Sequence, residues 1–342
     1  MRRVLTSVLL MTLLSLPACG RGNSDALPPC PKVTGSPVVA PGLPGQISFI
    51  TTGIPRPGYY RCEGTFEINA DGSGLRRVTL ATEIYPFDAR RSPDGRLFVF
   101  YGACPDTQHL ELCLVNGDGT GLRPLSAGPG HAAPVTDLSP AWSPDGSKIA
   151  FSRRQESLGH GDLYIVGADG TGERQLTSDP GDESQPTWSP DGQTIAYISK
   201  EGTEQLRIIK ASGGPSTVLS REGTVNEAPA FSHDGRRIAF SSNRSGKPES
   251  AYVRRVRTHP GSEGLPVFGA PDIYTVGVDG KGLTRITSDP SSNYSPAWSP
   301  DDRHLAFISD RDDNHNLYVM AADGTNVVRL SPLAASTPSW FT

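Results

Sequence analysis

The hydrophobic residues of this chain fall in short runs that are separated by turns rich in glycine, proline and aspartate. Typical runs are residues 149–151 and 163–166, which consist of apolar side chains, most of them β-branched or aromatic. Short runs of this composition between turn residues are typical of β-strands. The pattern therefore predicts a protein built from many short strands.

One tetrapeptide, Ser-Pro-Asp-Gly, divides the chain into repeating units. It occurs at 92–95, 143–146 and 189–192, and variants of it occur at 232–235 and 299–302. Serine first, proline second and glycine fourth suit a type I turn. The serines are spaced by 51, 46, 43 and 67 residues. These spacings bracket the period of a four-stranded propeller blade, which is about 40–50 residues.

Each unit continues with a second β-run, a second turn of the Asp-Gly type and a last short strand, which makes four strands. Residues 46–50 look like the second strand of a unit without a first strand, whereas 338–340 repeat the beginning of a unit. We predict that both termini share one blade, because this closure removes a free sheet edge. The six predicted blades are 45–80 with 338–342, 86–126, 137–178, 184–220, 227–288 and 294–331.

The full consensus of the unit is Pro-x-Trp-Ser-Pro-Asp-Gly-x-x-Ile-Ala-Phe, followed by Leu-Tyr-Val and Asp-Gly-Thr. It resembles the TolB-type propeller repeat over residues 45–342. The resemblance implies an all-β fold, a six-bladed β-propeller of four-stranded antiparallel blades. TolB itself has an N-terminal α/β domain before its propeller, and here a proline-rich segment stands in that place. The resemblance therefore implies the propeller and does not by itself imply the role of TolB.

The composition agrees with this fold and narrows the partners. The chain contains 38 glycines and 31 prolines, which argues against a helical bundle because both residues break helix interiors. Its 32 basic and 36 acidic residues give a net charge of −4. No global basic field attracts nucleic acid, so we expect no nucleic-acid partner.

The first residues predict export. Residues 1–3 are basic at two positions and 4–16 are mostly apolar, which is too short for a membrane-spanning helix and suits a signal peptide over 1–18. Leu-Pro-Ala-Cys then resembles a lipobox, which predicts lipidation of Cys19; the alternative is an ordinary signal peptide with Cys19 unmodified. Gly20, rather than an aspartate, follows the cysteine. By resemblance to sorted lipoproteins of two-membrane bacteria, this favours attachment to the outer membrane. Residues 19–44 are proline-rich and predict a tether that leads into the propeller at 45–342.

Four further cysteines suggest two disulfides, because an even number is typical of exported chains. We expect Cys104 to pair with Cys113 as a hairpin staple, and Cys30 to pair with Cys62; two other pairings remain open. The sequence contains no Cys-x-x-Cys pair, so a metal site built from these cysteines is not expected.

The candidate binding residues lie just before the predicted first strands, where ring closure gathers them at one mouth of the central channel. They are Asp88, Asp137, Glu183, Gln185, Asn226, Glu227, Asn293 and Tyr294. Such a polar, acidic ring suits a basic peptide or a hard cation, so no cofactor is predicted beyond a Ca²⁺ or other cation in the channel. The alternative is a set of solvated loop residues.

Two other segments carry candidate chemistry. Blade 5 has an insertion around 244–271 with a basic group at Arg254, Arg255, Arg257 and His259, which suits an acidic partner or lipid headgroups, or else is a solvated loop. The segment 310–314 begins like a calcium loop but lacks its glycine and its last glutamate, which favours a polar hairpin turn.

The sequence shows no Gly-x-Ser-x-Gly elbow, no phosphate-binding Gly-x-x-x-x-Gly-Lys and no His-x-x-x-His spacing. We therefore predict a monomeric, non-catalytic platform, anchored to the bacterial envelope, that binds a protein or peptide on a propeller face. The alternative is a metal-dependent hydrolase or lyase with its site in the axial channel. A third possibility is a purely structural or sensory envelope module.

Overall fold

The computed structural model describes residues 43–51, 64–78, 87–104, 110–125, 135–155, 159–220, 226–251, 269–312 and 314–341. These residues form six four-stranded antiparallel sheets. The predicted six-bladed β-propeller is therefore confirmed.

The strands are, in chain order, β1 (Gln46–Thr51), β2 (Gly64–Asn69), β3 (Arg76–Arg77), β4 (Phe87–Arg91), β5 (Leu97–Ala103), β6 (Leu110–Asn116), β7 (Arg123–Pro124), β8 (Val135–Trp142), β9 (Lys148–Gln155), β10 (His160–Gly167), β11 (Arg174–Gln175), β12 (Asp182–Trp188), β13 (Thr194–Glu201), β14 (Thr203–Lys210), β15 (Thr217–Ser220), β16 (Asn226–Phe231), β17 (Arg237–Ser242), β18 (Asp272–Gly277), β19 (Thr284–Arg285), β20 (Asn293–Trp298), β21 (His304–Ser309), β22 (Asn316–Ala321), β23 (Val328–Ala334) and β24 (Ser336–Phe341). Blade 1 is β24-β1-β2-β3, and blades 2 to 6 take the following strands in groups of four.

The ring closes through the two ends of the described chain. Strand β24 pairs antiparallel with β1, so that Trp340 lies opposite Ile47. The indole of Trp340 also donates to the carbonyl of Pro44 at 3.0 Å. The innermost strands β24, β4, β8, β12, β16 and β20 contact one another in cyclic order. The predicted sharing of one blade by both ends is thus confirmed.

The Ser-Pro-Asp-Gly turns satisfy their own polar groups. In the turn at 143–146, Ser143 Oγ donates to Asp145 Oδ1 at 2.6 Å and accepts from the amide of Lys148 at 2.9 Å. Asp145 Oδ1 accepts from the amide of Ser147 at 3.0 Å. Gly146 adopts φ of +70°, which glycine tolerates and a side chain rarely does. The repeated sequence therefore encodes a turn that needs little from its surroundings.

Hydrophobic layers between the blades hold the ring together, and tryptophans link neighbouring blades. In the layer between blades 3 and 4, Trp188 packs with the buried residues Ile165 and Tyr197. Its indole nitrogen donates to the carbonyl of Ala141 on the preceding innermost strand at 3.1 Å. The indoles of Trp142 and Trp298 make the equivalent bond. The tryptophan before the turn thus joins two blades at three of these positions.

The connections between strands fall on two faces of the ring because successive strands run in opposite directions. The turn face carries the Ser-Pro-Asp-Gly type turns and the Asp-Gly turns. The loop face carries the connections from blade to blade, the connections between the second and third strands of each blade, and the insertion of blade 5. Each innermost strand enters its blade from a blade-to-blade connection at the loop face, including β24, which follows β23 of blade 6.

Candidate functional site

The innermost strands share an irregularity near the loop face. Each carries a β-bulge or register shift in its pairing with the next strand. At each irregularity one non-glycine residue has positive φ, between 44° and 55°: Asp88, Ser139, Gln185, Ala228, Ser295 and Thr337. We call these six residues the axial ring. All are partly exposed, and all but Asp88 are followed by a buried proline.

This backbone conformation is unusual, since a residue before proline is normally held in the extended region. Strained non-glycine residues often cluster at functional sites. The axial ring repeats the same strain once per blade around the axis, at positions that are partly exposed. Its signal in the sequence is the residue before proline in the Pro-x-Trp consensus.

The structure divides the eight predicted mouth residues into two groups. Gln185 and Asp88 belong to the axial ring, and Glu227 and Tyr294 directly precede members of it; all four are partly exposed. Asp137, Glu183 and Asn293, by contrast, are buried in the walls between blades. Asn226 occupies the position of β16 that is equivalent to that of Asp137 in β8. The expectation that these residues lie before the first strands is wrong for all eight, because strand pairing continues to the loop-face side of each bulge.

Asp137 belongs to a buried ion-pair network. Arg153 donates to its two carboxylate oxygens at 2.7 and 2.8 Å, and also to Glu173. The guanidinium carbon lies 5.1 and 4.8 Å from the ring centres of Phe151 and Tyr164. Burial of Arg153 acts against its charge, but the hydrogen bonds that it donates to the two carboxylates outweigh this effect and raise the pKa of Arg153. The network braces blade 3 and leaves Asp137 no accessible surface for a ligand.

Glu183 and Asn293 are also enclosed. Glu183 accepts a hydrogen bond from Ser199 at 3.0 Å. Burial raises the pKa of Glu183 to about 8, and the charge of Asp162 acts in the same direction. Asn293 donates to Asp289 at 3.1 Å and accepts from Arg311 at 3.0 Å. These two side chains hold blade interfaces.

Between blades 4 and 5 the mouth carries a partly exposed polar group formed by Gln185 and Glu227. Gln185 Oε1 accepts from the amide of Ala228 at 2.5 Å, which links two members of the axial ring. Burial raises the pKa of Glu227 to about 7; the charge of Glu204 adds to the shift and that of Lys200 opposes it. Glu227 therefore gains or loses its proton near neutral pH, and the charge of this part of the mouth changes with it.

The remaining mouth residues lie in other blades. Asp88 pairs with Arg90 at 2.8 Å. Tyr294 packs edge-on against His315, with 5.5 Å between the ring centres. Burial lowers the pKa of His315, although the charge of Asp310 opposes this. The loop-face mouth thus combines carboxylates, amides and an aromatic pair, which suits contact with a polar peptide or protein surface.

Among the residues that the structure describes, no group of three or more histidine, cysteine, aspartate or glutamate side chains is arranged to hold a metal ion. No helix within the same residues is long and apolar enough to span a membrane.

The other predicted features are partly visible. Cys104 and Cys113 form a disulfide with 5.8 Å between their Cα atoms, which confirms that pairing. Residues 310–315 connect β21 to β22 as a hairpin, and Asp310 accepts from the amide of Ser292 at 2.8 Å. Four sets of predicted features lie outside the described residues: the signal peptide at 1–18, Cys19 with most of the tether, the pair Cys30 and Cys62, and the basic group Arg254, Arg255, Arg257 and His259.

The repeat is similar in sequence to segments of known proteins. Residues 131–254 match the family model PD40, described as the TolB beta propeller domain. A TolB homolog of Chlorobium luteolum is 32% identical over 141 residues, which cover 36% of this chain and 32% of that protein. The Tol-Pal system protein TolB of Bordetella pertussis is 31% identical over 155 residues, which cover 37% of this chain and 34% of that protein. The matched segments span about one third of the length of these curated relatives.

Solved structures agree on the fold. TolB from Acinetobacter baumannii superposes with a TM-score of 0.64 at 17% identity, covering 86% of this chain and 66% of that chain. A putative TolB from Agrobacterium tumefaciens superposes with a TM-score of 0.62 at 22% identity, covering 86% of this chain and 91% of that chain. The sequence matches confirm the resemblance to the TolB-type propeller repeat, and these structures confirm the propeller fold.

Proposed function

We propose that this chain is a non-catalytic propeller of the bacterial cell envelope that binds a protein partner at the loop face. The observation that carries the proposal is the axial ring, a set of six partly exposed, strained backbone positions around one mouth of the ring. Strained positions with no buried role of their own are expected to serve recognition. The predicted mouth residues Gln185, Glu227 and Tyr294 lie in or beside this ring.

Protein binding is favoured over catalysis by the way the acidic groups are held. The buried carboxylate of Asp137 is paired with Arg153, and Glu183 is enclosed between blades. Neither side chain therefore presents a carboxylate to the axis. Glu227 and Asp88 remain partly exposed at the mouth. A partner that places a basic or amide-rich segment over the axis meets complementary groups there.

The cellular setting is proposed from two sources. Relatives such as the protein of Bordetella pertussis are named as Tol-Pal system proteins, which supports an envelope partner for this chain. The lipobox-like Leu-Pro-Ala-Cys sequence supports lipidation at Cys19 and attachment to the outer membrane on its periplasmic side. Mass spectrometry of the mature N-terminus tests the anchor, since a diacylated Cys19 is expected and an unmodified one contradicts it.

The test of partner binding compares the two faces. The chain lacking residues 1–18 is immobilised and exposed to detergent extracts of bacterial envelopes, and captured proteins are then purified for binary titration. Glu227→Lys and Tyr294→Ala change the loop-face mouth at partly exposed positions. Asp145→Lys changes an exposed turn-face position and serves as the matched control.

We expect a partner that binds the unmodified chain and the Asp145→Lys control with equal affinity. The two loop-face variants are expected to bind it about tenfold or more weakly, as for central residues of a protein interface. A partner that is insensitive to both loop-face variants, or a chain that captures none, contradicts the proposal.

A further inference from the structure

Two blade interfaces of this ring are built from the same segment, Thr-Ser-Asp-Pro, at 177–180 between blades 3 and 4 and at 287–290 between blades 5 and 6. Each has a buried aspartate at the same place in the third strand of its blade, Asp162 in β10 and Asp272 in β18. In both blades the amide of the following residue donates to the threonine of the segment at 2.9 Å. The two interfaces are therefore equivalent in structure, and their differences are informative.

Between blades 5 and 6 the buried aspartate is neutralised by two cations. Lys247 Nζ donates to Asp272 Oδ1 at 2.7 Å, and Arg285 lies 2.6 Å from Asp272 Oδ2. The same ammonium group donates to the carbonyls of Asp289 and Ser291 at 2.6 and 2.9 Å. One carboxylate and two main-chain carbonyls thus form a cation site, which Lys247 occupies.

Between blades 3 and 4 the acids remain, but a neutral residue replaces the arginine. Gln175 stands where blade 5 has Arg285, and it donates to Asp162 Oδ2 at 3.0 Å. Asp162 is 4% exposed, and its Oδ1 has no hydrogen-bond donor. Glu183 stands where blade 6 has Asn293 and adds a second, fully buried carboxylate.

The backbone makes room for that second carboxylate. Gly181 stands where the other interface has Ser291. A Cβ at Gly181 would lie 2.7 Å from Glu183 Oε1 and 2.9 Å from Ser199 Oγ, so any other residue there would displace these side chains. Interface 3–4 therefore gains an acid and the space to hold it at the position where interface 5–6 has an amide.

The charges next to the pair are partly compensated. Asp179 and Asp182 act on Asp162, but they pair with Arg207 at 3.3 Å and with Arg154 at 3.2 Å. Arg207 also acts on Glu183, yet the ion pairs among the described residues include neither Asp162 nor Glu183. Two carboxyl groups buried side by side are stable only with a positive charge between them, which is either a shared proton or a cation. Carboxylates and main-chain carbonyls are the ligands that Ca²⁺ prefers.

We propose that the wall between blades 3 and 4 binds one hard divalent cation, of which Ca²⁺ is the probe, between the carboxylates of Asp162 and Glu183. The carbonyls of Asp179 and Gly181, equivalent to those that hold the Lys247 ammonium group, complete the site. The cation balances the two carboxylate charges and joins β10 to β12, so it stabilises the ring. This site lies in the wall between blades, apart from the mouth at which partner binding is proposed.

The test uses the purified full-length chain after treatment with EDTA. Isothermal titration with Ca²⁺ at pH 7.5 and thermal unfolding with and without Ca²⁺ measure the site. We expect one Ca²⁺ per chain and a higher Tm with Ca²⁺. Asp162→Asn and Glu183→Gln are each expected to weaken binding by at least about tenfold, since even outer-shell partners of a metal contribute that much. Asp118→Asn, an exposed carboxylate of a turn, is the control and is expected to bind normally.

A double variant guards against loss of folding in the single ones. Gln175→Arg combined with Glu183→Asn gives interface 3–4 the counterparts of Arg285 and Asn293, although not of Lys247. It leaves one buried carboxylate paired with an arginine, so a divalent cation is no longer needed to balance two acids. It is expected to fold in EDTA and to show no change of Tm with Ca²⁺. Absence of Ca²⁺ binding by the unmodified chain overturns the proposal in favour of a proton shared by the two acids. Full binding by the double variant also overturns it, because the cation then lies elsewhere.

Discussion

The two faces of the ring hold carboxyl groups in opposite environments. On the turn face the carboxylate of Asp145 is exposed, and hydrogen bonds from Ser143 and then Ser147 lower its pKa to about 2. In the loop-face part of the wall, Glu183 is fully buried, and this burial raises its pKa to about 8. One acid is satisfied by residues within two positions of it, and the other depends on a neighbouring blade.

The difference separates scaffold from site. A turn that closes its own hydrogen bonds can be repeated in every blade without adjustment, and the Ser-x-Asp turns at 92–95, 143–146 and 189–192 repeat the same bonds. The walls near the loop face differ from blade to blade, because each polar group there is matched to a partner on another strand. Recognition and ion binding are expected where the structure varies.

The largest effect is expected from breaking the buried network of blade 3. Arg153→Ala leaves Asp137 buried without its ion-pair partner and is expected to lower the free energy of unfolding by about 3–5 kcal/mol. Denaturant unfolding measures this. The control is Arg96→Ala on the turn face, which removes a pair with an 85% exposed arginine and is expected to change stability by less than about 0.5 kcal/mol. Equal losses would remove the contrast between the faces.

The next largest effect is expected in the pH dependence of stability in EDTA, which tests the buried carboxyl group of Glu183. The folded pKa of Glu183, about 8, lies above that of an unfolded glutamate, so folding loses stability as pH rises from about 4.5 to about 8. Glu183→Gln is expected to flatten the stability profile over this range when it is followed by chemical unfolding. A variant profile that still falls as steeply as that of the unmodified chain would show that other groups control this range.

A smaller effect is expected at the one turn pair that departs from the consensus. His233 replaces proline and so keeps its amide, and this amide and that of Asp234 donate to Asp302 at 2.6 and 2.7 Å. Asp302 in turn replaces the glycine of the next turn and has φ of +56°. Asp302→Gly is expected to lose about 1 kcal/mol of stability.

The double variant His233→Pro with Asp302→Gly restores the consensus at both turns. It is expected to return to within about 0.5 kcal/mol of the unmodified chain, because the two residues compensate for each other. Strictly additive effects in denaturant unfolding would refute this compensation.

The smallest effect is expected at a single turn carboxylate. The folded pKa of Asp145, about 2, lies below its unfolded value, so its contribution is present above about pH 4 and is lost as pH falls toward 2. Asp145→Asn is expected to make stability slightly less dependent on pH in that range. The measurement is thermal unfolding between pH 2 and 5, and an unchanged acid limb would contradict the shift.

Much of the fold could be predicted because its signals are local. The turn sequences, the short β-runs and the unmatched pieces at 46–50 and 338–340 were sufficient for six blades and their closure. The mouth was predicted less well. Asp137 and Asn293 looked like the partly exposed Gln185 in the sequence, but they lie two residues before the positive-φ position, where the strand directs them into the wall.

The axial ring itself was missed at Ser139, Ala228, Ser295 and Thr337, since these small residues carry no chemistry that draws attention. Their common signal is the proline that follows. A bulge cannot be inferred from side-chain type alone, because it depends on how two strands fall into register.

The sequence by itself determined the repeat, the turns and the number of blades, because each rests on hydrogen bonds and apolar contacts among residues near one another in the chain. Only the tertiary structure decided which acids face solvent, which pair with Arg153 and which two meet at Asp162 and Glu183. Those outcomes depend on neighbouring strands and blades, and burial there sets the charge that each group can hold.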